Sequence, residues 1–149
     1  MKQKKTKKPL YRAIKEINHS DQSTNSRKVV WVFDKIDRSG AFCFDIKRAD
    51  FEHKDFLDKL ISFSSMTWSE VLAQKHDKAQ KTKHHLLEFD SLSKPAKDRI
   101  SALKLEQDTD RIFSFALTNT MRIIGLRDGE KFCVKWYDPK HQFCPSSKK

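Results

Sequence analysis

Six histidines and three cysteines are the residues of this 149-residue chain with most chemistry to offer, and their spacing limits what they do. His84 and His85 are adjacent, so in a strand they point to opposite faces. Together with His76, Asp138 and His141 they show no HxxxH spacing that would bring two imidazoles to one metal ion. No metal is expected. Cys43, Cys133 and Cys144 are odd in number and lack CxxC spacing, which argues against a disulfide framework and against a zinc knuckle. They read as free thiols of a cytoplasmic protein, Cys43 and Cys133 being small residues inside apolar runs. With three glycines the chain has no Gly-rich phosphate loop, and no nucleophile elbow is visible, so no cofactor is expected.

Positive charge is the remaining chemical resource. The formal net charge is +11, of which residues 1 to 28 carry +7: nine Lys and Arg against Glu16 and Asp21. Lys4, Lys5, Lys7 and Lys8 in that segment suit any polyanion, which they would hold by releasing its counterions. A solvated arm without a partner accounts for them equally well. In the last strand Lys131, Lys135 and Tyr137 share a face by alternation, a track for a phosphate backbone with a ring for base stacking. The same lysines also suit the solvent face of an edge strand. Arg127 is a further candidate nucleic-acid contact.

These residues need elements to hold them. Residues 1 to 27 read as a basic flexible arm and 28 to 149 as a single α+β domain. Val29–Asp34 and Ala41–Ile46 are rich in β-branched and aromatic residues, and Gly40 lies in the turn between them, so a β-hairpin is expected, its first strand covered on both faces. Phe56, Leu57, Leu60, Ile61 and Phe63 fall on one helical stripe between Phe51 and Phe63. Thr67 and Glu70 form a capping box for a short second helix, and residues 75 to 85 read as an exposed loop. A short strand is expected from His85, and Ser93 with Pro95 opens a helix from Lys94 to about Leu105. Ile112–Leu117, Met121–Arg127 and Lys131–Tyr137 alternate as three strands joined by Thr118-Asn119-Thr120 and by Asp128-Gly129, a type I′ signal. The expected fold is therefore an antiparallel sheet, N-terminal hairpin plus C-terminal three-stranded meander, packed on two or three helices. No run approaches the roughly 18 apolar residues of a membrane span.

The stretch RIFSFALTNTMRIIGLRDGEKFCVKWYDPKH resembles the last three strands of the RelE/YoeB-like toxins of toxin–antitoxin pairs. Phe113-Ser114-Phe115 stands for that family's first such strand, Met121-Arg122-Ile123-Ile124 for its arginine-bearing strand, and His141 for its histidine after the last strand. The resemblance covers residues 85 to 143. It departs from the pattern in following the histidine with Gln142 and in the turn at Asp138-Pro139.

The resemblance implies a metal-independent endoribonuclease acting on mRNA, with or without a ribosome, and an antitoxin protein as partner. Cutting RNA with its own 2′-hydroxyl takes a base, an acid for the leaving oxygen and a cation for the phosphorane. His141 would be acid or base, Arg122 would grip the phosphate through its planar guanidinium, and Glu106, or Glu130, would be the second base. By alternation Arg122 shares a face with Ile124 and Leu126, as a paired or sheet-edge charge does. A non-catalytic nucleic-acid-binding or protein-interaction module is the alternative.

Overall fold

The computed structural model describes residues 24–76 and 81–145. Lys4, Lys5, Lys7 and Lys8 lie outside them. Among the described residues five strands form one sheet: β1 (Val30–Val32), β2 (His85–Leu86), β3 (Ile112–Ala116), β4 (Arg122–Asp128) and β5 (Lys131–Asp138), in the order β1-β5-β4-β3-β2. All neighbours run antiparallel except β1, which lies parallel to β5. The helices among the described residues are α1 (His53–Ser64), α2 (Trp68–Ala73) and α3 (Lys94–Ala102), with 3-10 turns at Phe89–Ser91 and Glu106–Arg111. The α+β class read from the sequence is the observed one. No helix among the described residues is long and apolar enough to cross a membrane.

The meander forms where alternation places it, and each of its faces carries a core. Phe113, Phe115, Leu117, Ile123, Phe132 and Val134 pack with Phe63 of α1 and Trp68 and Val71 of α2. Ile112, Ile124 and Trp136 pack on the other side with Ala96 and Ile100 of α3 and with Phe143. Local signals set the helix ends. Thr67 and Glu70 close the capping box at α2, and Ser93 caps α3. α3 stops sooner than periodicity indicates because Lys104 turns left-handed (φ 59°), and Leu105 N–H then donates to Ile100 O. The β4–β5 turn has positive φ only at Gly129, the pattern of a type II′ rather than a type I′ turn.

The N-terminal hairpin does not form. β1 takes β5 as its partner, and it is an edge strand rather than one covered on both faces. Ala41–Ile46 is not a strand; it crosses farther along β5, where Tyr137 N–H donates to Phe42 O and Cys43 bridges Trp136. Its two phenylalanines part, Phe42 to the core under α3 and Phe44 to the other. Residues 24 to 27, read above as part of the arm, belong to the folded unit. Thr24 is buried, Asn25 O accepts from Ser69 N–H, and Arg27 O accepts from Trp68 N–H.

A β-bulge decides the phase of β5. Ile124 pairs with Trp136 and Gly125 with Val134, so Lys135 is the extra residue. From there on the alternation inverts, and Tyr137 joins Phe132 and Val134 in the core instead of Lys131 at the surface. Gly125 permits the bulge, because a Cβ at that position would overlap Cys133 O. Gly125→Ala is accordingly expected to cost about 2 kcal/mol or more of stability in urea unfolding. An unchanged midpoint would mean that the bulge relaxes freely.

Candidate functional site

Arg122 opens β4, Asp138 ends β5, and the two are directly paired across the sheet. Both are buried, Arg122 being only 6% exposed. The Arg122 guanidinium donates through Nη1 to Thr118 O (2.8 Å) and Met121 O (3.2 Å), holding the β3–β4 turn. Burial pushes its pKa below the ordinary arginine value while the Asp138 charge works the other way. Asp138 in turn accepts the backbone N–H of Gln142 (3.0 Å) and of Phe143 (2.7 Å). Those two bonds fold the chain after β5 into a tight turn, with His141 at φ 57° within it.

His141 is half-buried, and its pKa is lowered by that burial first and by the Arg122 charge second, against an opposing pull from Asp138. Its imidazole is therefore neutral at pH 7. His85 and His76 also act on it. His85 sits on β2 opposite Ser114. Phe113 and Phe115 face α1 and α2, so Ser114 faces the other way, as does His85 opposite it; Arg122, with Ile124, is on this face too. A carbonyl only accepts, so in the 3.0 Å contact of His85 Nδ1 with Leu86 O the ring donates from Nδ1 and keeps Nε2 out of that bond.

His84 has a different role. It is buried, its Nδ1 accepts Ala116 N–H (3.0 Å), and its Nε2–H donates to Gln74 Oε1 (2.7 Å). Desolvation brings its pKa down to about 3, so it is a neutral structural group. His76, His84 and His85 thus gather with His141 and Arg122 at one end of the sheet. Their sequence spacing had raised only the question of a metal. The usable signal was cross-strand register, which becomes available only once β2 is paired.

The other expected site residues are elsewhere. Glu106 lies on the 3-10 turn that leads into the start of β3, where it accepts from Ser101 Oγ (3.0 Å), whereas Arg122 pairs with the last residue of β3. Five residues of strand put about 13 Å between those ends. Glu130 is on the far β4–β5 turn, paired with Arg27 at 3.3 Å. Arg127, 5% exposed, is locked inside: it lies 3.9 Å over the Trp68 ring, with Nε on Gly129 O and Nη2 on Asn25 Oδ1. Tyr137 is buried, donating to Asp50 O and stacking on Phe51. Lys135 Nζ donates to Lys35 O (2.7 Å), and burial lowers its pKa. Lys131 alone of that set is exposed, at the end of β5 away from His141, so the Lys131–Lys135–Tyr137 track does not exist.

A concavity of about 810 Å³ follows the edge strand β2 from Thr82 and His85 to Asp110. Leucine and phenylalanine side chains line it together with His85, Glu88, Asp110 and Arg127, the last engaged with Trp68 and Asn25. Among the described residues no group of three or more His, Cys, Asp and Glu is placed to hold a metal ion. No protein-family model, curated protein or solved structure matches this chain.

Proposed function

We propose that this chain is a toxin-like endoribonuclease of the toxin–antitoxin type, acting on mRNA in the cytoplasm and neutralised by an antitoxin protein. The observation that carries the reading is a half-buried His141 whose pKa is lowered by burial and by the Arg122 charge, at the end of the sheet where Arg122 opens β4. A neutral imidazole there is in the form that takes a proton from a 2′-hydroxyl. His85 Nε2 supplies the second acid–base group that Glu106 is too distant to be. Arg122 is a positioning residue: it fixes the β3–β4 turn and adds its charge to the burial that lowers the His141 pKa, rather than forking onto the phosphate.

A protein-interaction module is the second reading. Leu57 and Ile61, one helical turn apart on α1, are 57% and 61% exposed although their stripe reads as core. Such a stripe fits a protein partner.

Induction in bacteria of the wild-type chain and of His141→Asn, whose replacement tolerates the left-handed backbone, tests the first reading. Growth arrest and mRNA cleavage are expected with wild type, and a loss of about 10²-fold in cleavage rate with the variant. Arrest that persists in the variant, or intact mRNA with wild type, would leave the interaction module.

A further inference from the structure

A small polar pocket of about 250 Å³ opens on the face of the sheet that carries α1, where the end of that helix meets the segments around α2 and β2 and the β3–β4 turn. Lys59 and Ser62 line it from α1, His76 from the segment after α2, Lys83 from the segment before β2, and Thr118 and Asn119 from the turn. No carboxylate is among its described lining, and neither lysine takes part in an ion pair among the described residues.

The neighbouring hydrogen bonds leave donors, rather than acceptors, on Gln74 and Thr118. Gln74 also lines the pocket, and its Oε1 already accepts from His84, so the group it has left to offer is its amide N–H₂. Thr118 Oγ1 accepts the N–H of Thr120 (3.3 Å) and of Met121 (3.0 Å), which leaves its hydroxyl proton to give. Arg122 fixes the same turn from behind through Thr118 O. Two ammonium groups with amide and hydroxyl donors match an oxyanion. The volume is below the roughly 300–1,000 Å³ of ordinary small-molecule sites, so a single anionic group fits better than a whole nucleotide.

We infer that this pocket binds one phosphodiester of an RNA strand whose following nucleotides cross the β3–β4 turn towards Arg122, at the same end of the sheet but on its other face, and His141. The naming of RNA rests on the function proposed above; the preference for a phosphate does not.

Full-length protein and a labelled 2′-O-methyl oligoribonucleotide, which has no free 2′-hydroxyl and stays uncut, provide the test by fluorescence anisotropy across a salt series. The double variant Lys59→Gln/Lys83→Gln is compared with Lys47→Gln/Lys104→Gln, which removes the same charge at exposed positions elsewhere. The pocket variant is expected to bind about tenfold more weakly near 0.1 M salt, with the log–log salt slope reduced by about 0.7, one single-strand phosphate contact. The control pair is expected to keep the wild-type slope. Equal slopes in both variants would overturn the proposal. So would inorganic phosphate shifting the His76 resonances while the RNA slope stays unchanged in the pocket variant. If wild type leaves ordinary RNA intact but the pocket variant still loses binding, the ribonuclease reading fails and the pocket stands.

Discussion

Between pH 6.5 and pH 3 the protein is expected to lose on the order of 4 kcal/mol of stability through His84 alone. In the unfolded chain this imidazole takes up a proton near pH 6.5, whereas in the folded state it does so only at about 3. Throughout that window the unfolded state binds more protons, so stability falls as the pH falls. The stabilisation is complete above the unfolded value and gone below the folded one. Protonation would also break a specific contact, because Nδ1 would no longer accept Ala116 N–H at the end of β3. Urea unfolding at pH 7, 5 and 4 checks this against His84→Gln. The variant should start less stable and show a much shallower decline, while parallel curves would remove His84 as the cause. Loosening near pH 4 should begin at the His141 end of the sheet.

Arg99→Ala is expected to cost about 3–5 kcal/mol, because it strands a buried carboxylate. The Asp37 side chain is 3% exposed and accepts Arg99 Nε and Nη2, each at 2.7 Å, and Trp136 Nε1 at 2.8 Å. Burial alone would raise the Asp37 pKa, but the hydrogen bonds from Arg99, Trp136 and Ser39 outweigh it and hold the carboxyl below its ordinary value. This contribution is present above the unfolded carboxylate value and lost as pH falls through the lower folded value, beneath most of the His84 window. Chemical denaturation at pH 7 measures the loss. Adding Asp37→Asn to Arg99→Ala should recover part of it, since a neutral amide is cheaper to leave unpaired. A loss under about 1 kcal/mol for Arg99→Ala would mean that Trp136 and Ser39 suffice.

What could be read from the chain was what neighbouring residues settle among themselves. The alternation of Phe113, Phe115 and Leu117, the box at Thr67 and Glu70, and the cap at Ser93 each depend on a few adjacent positions, and each is found where expected. Even the face of Arg122 follows from Ile124 and Leu126. The failures share long sequence separation. Arg127 becomes an interior residue only because Trp68 and Asn25 come from far upstream. Tyr137 turns inward only because Gly125, on the neighbouring strand, tolerates the bulge. The two apolar runs near the N-terminus look like partners of each other, but β5 offers both a longer surface. At the site, Arg122 and His141 were legible as types at positions. The company of His85 and the burial of Arg122 depended on register and packing.

The parallel pairing of β1 with β5 has a consequence for synthesis on the ribosome. Val30 lies beside Lys131, so the first strand made must wait for the last before its backbone is paired. At 5–20 residues per second that interval is about 5–20 s, during which Val30, Trp31 and Val32 are an unpaired apolar edge. No earlier folding of the middle of the chain shortens it, because the waiting time is set by translation. A nascent chain of this kind is a natural client for a chaperone that binds short apolar strands, and a pause in decoding between β4 and β5 would prolong its exposure more than a pause anywhere before β1.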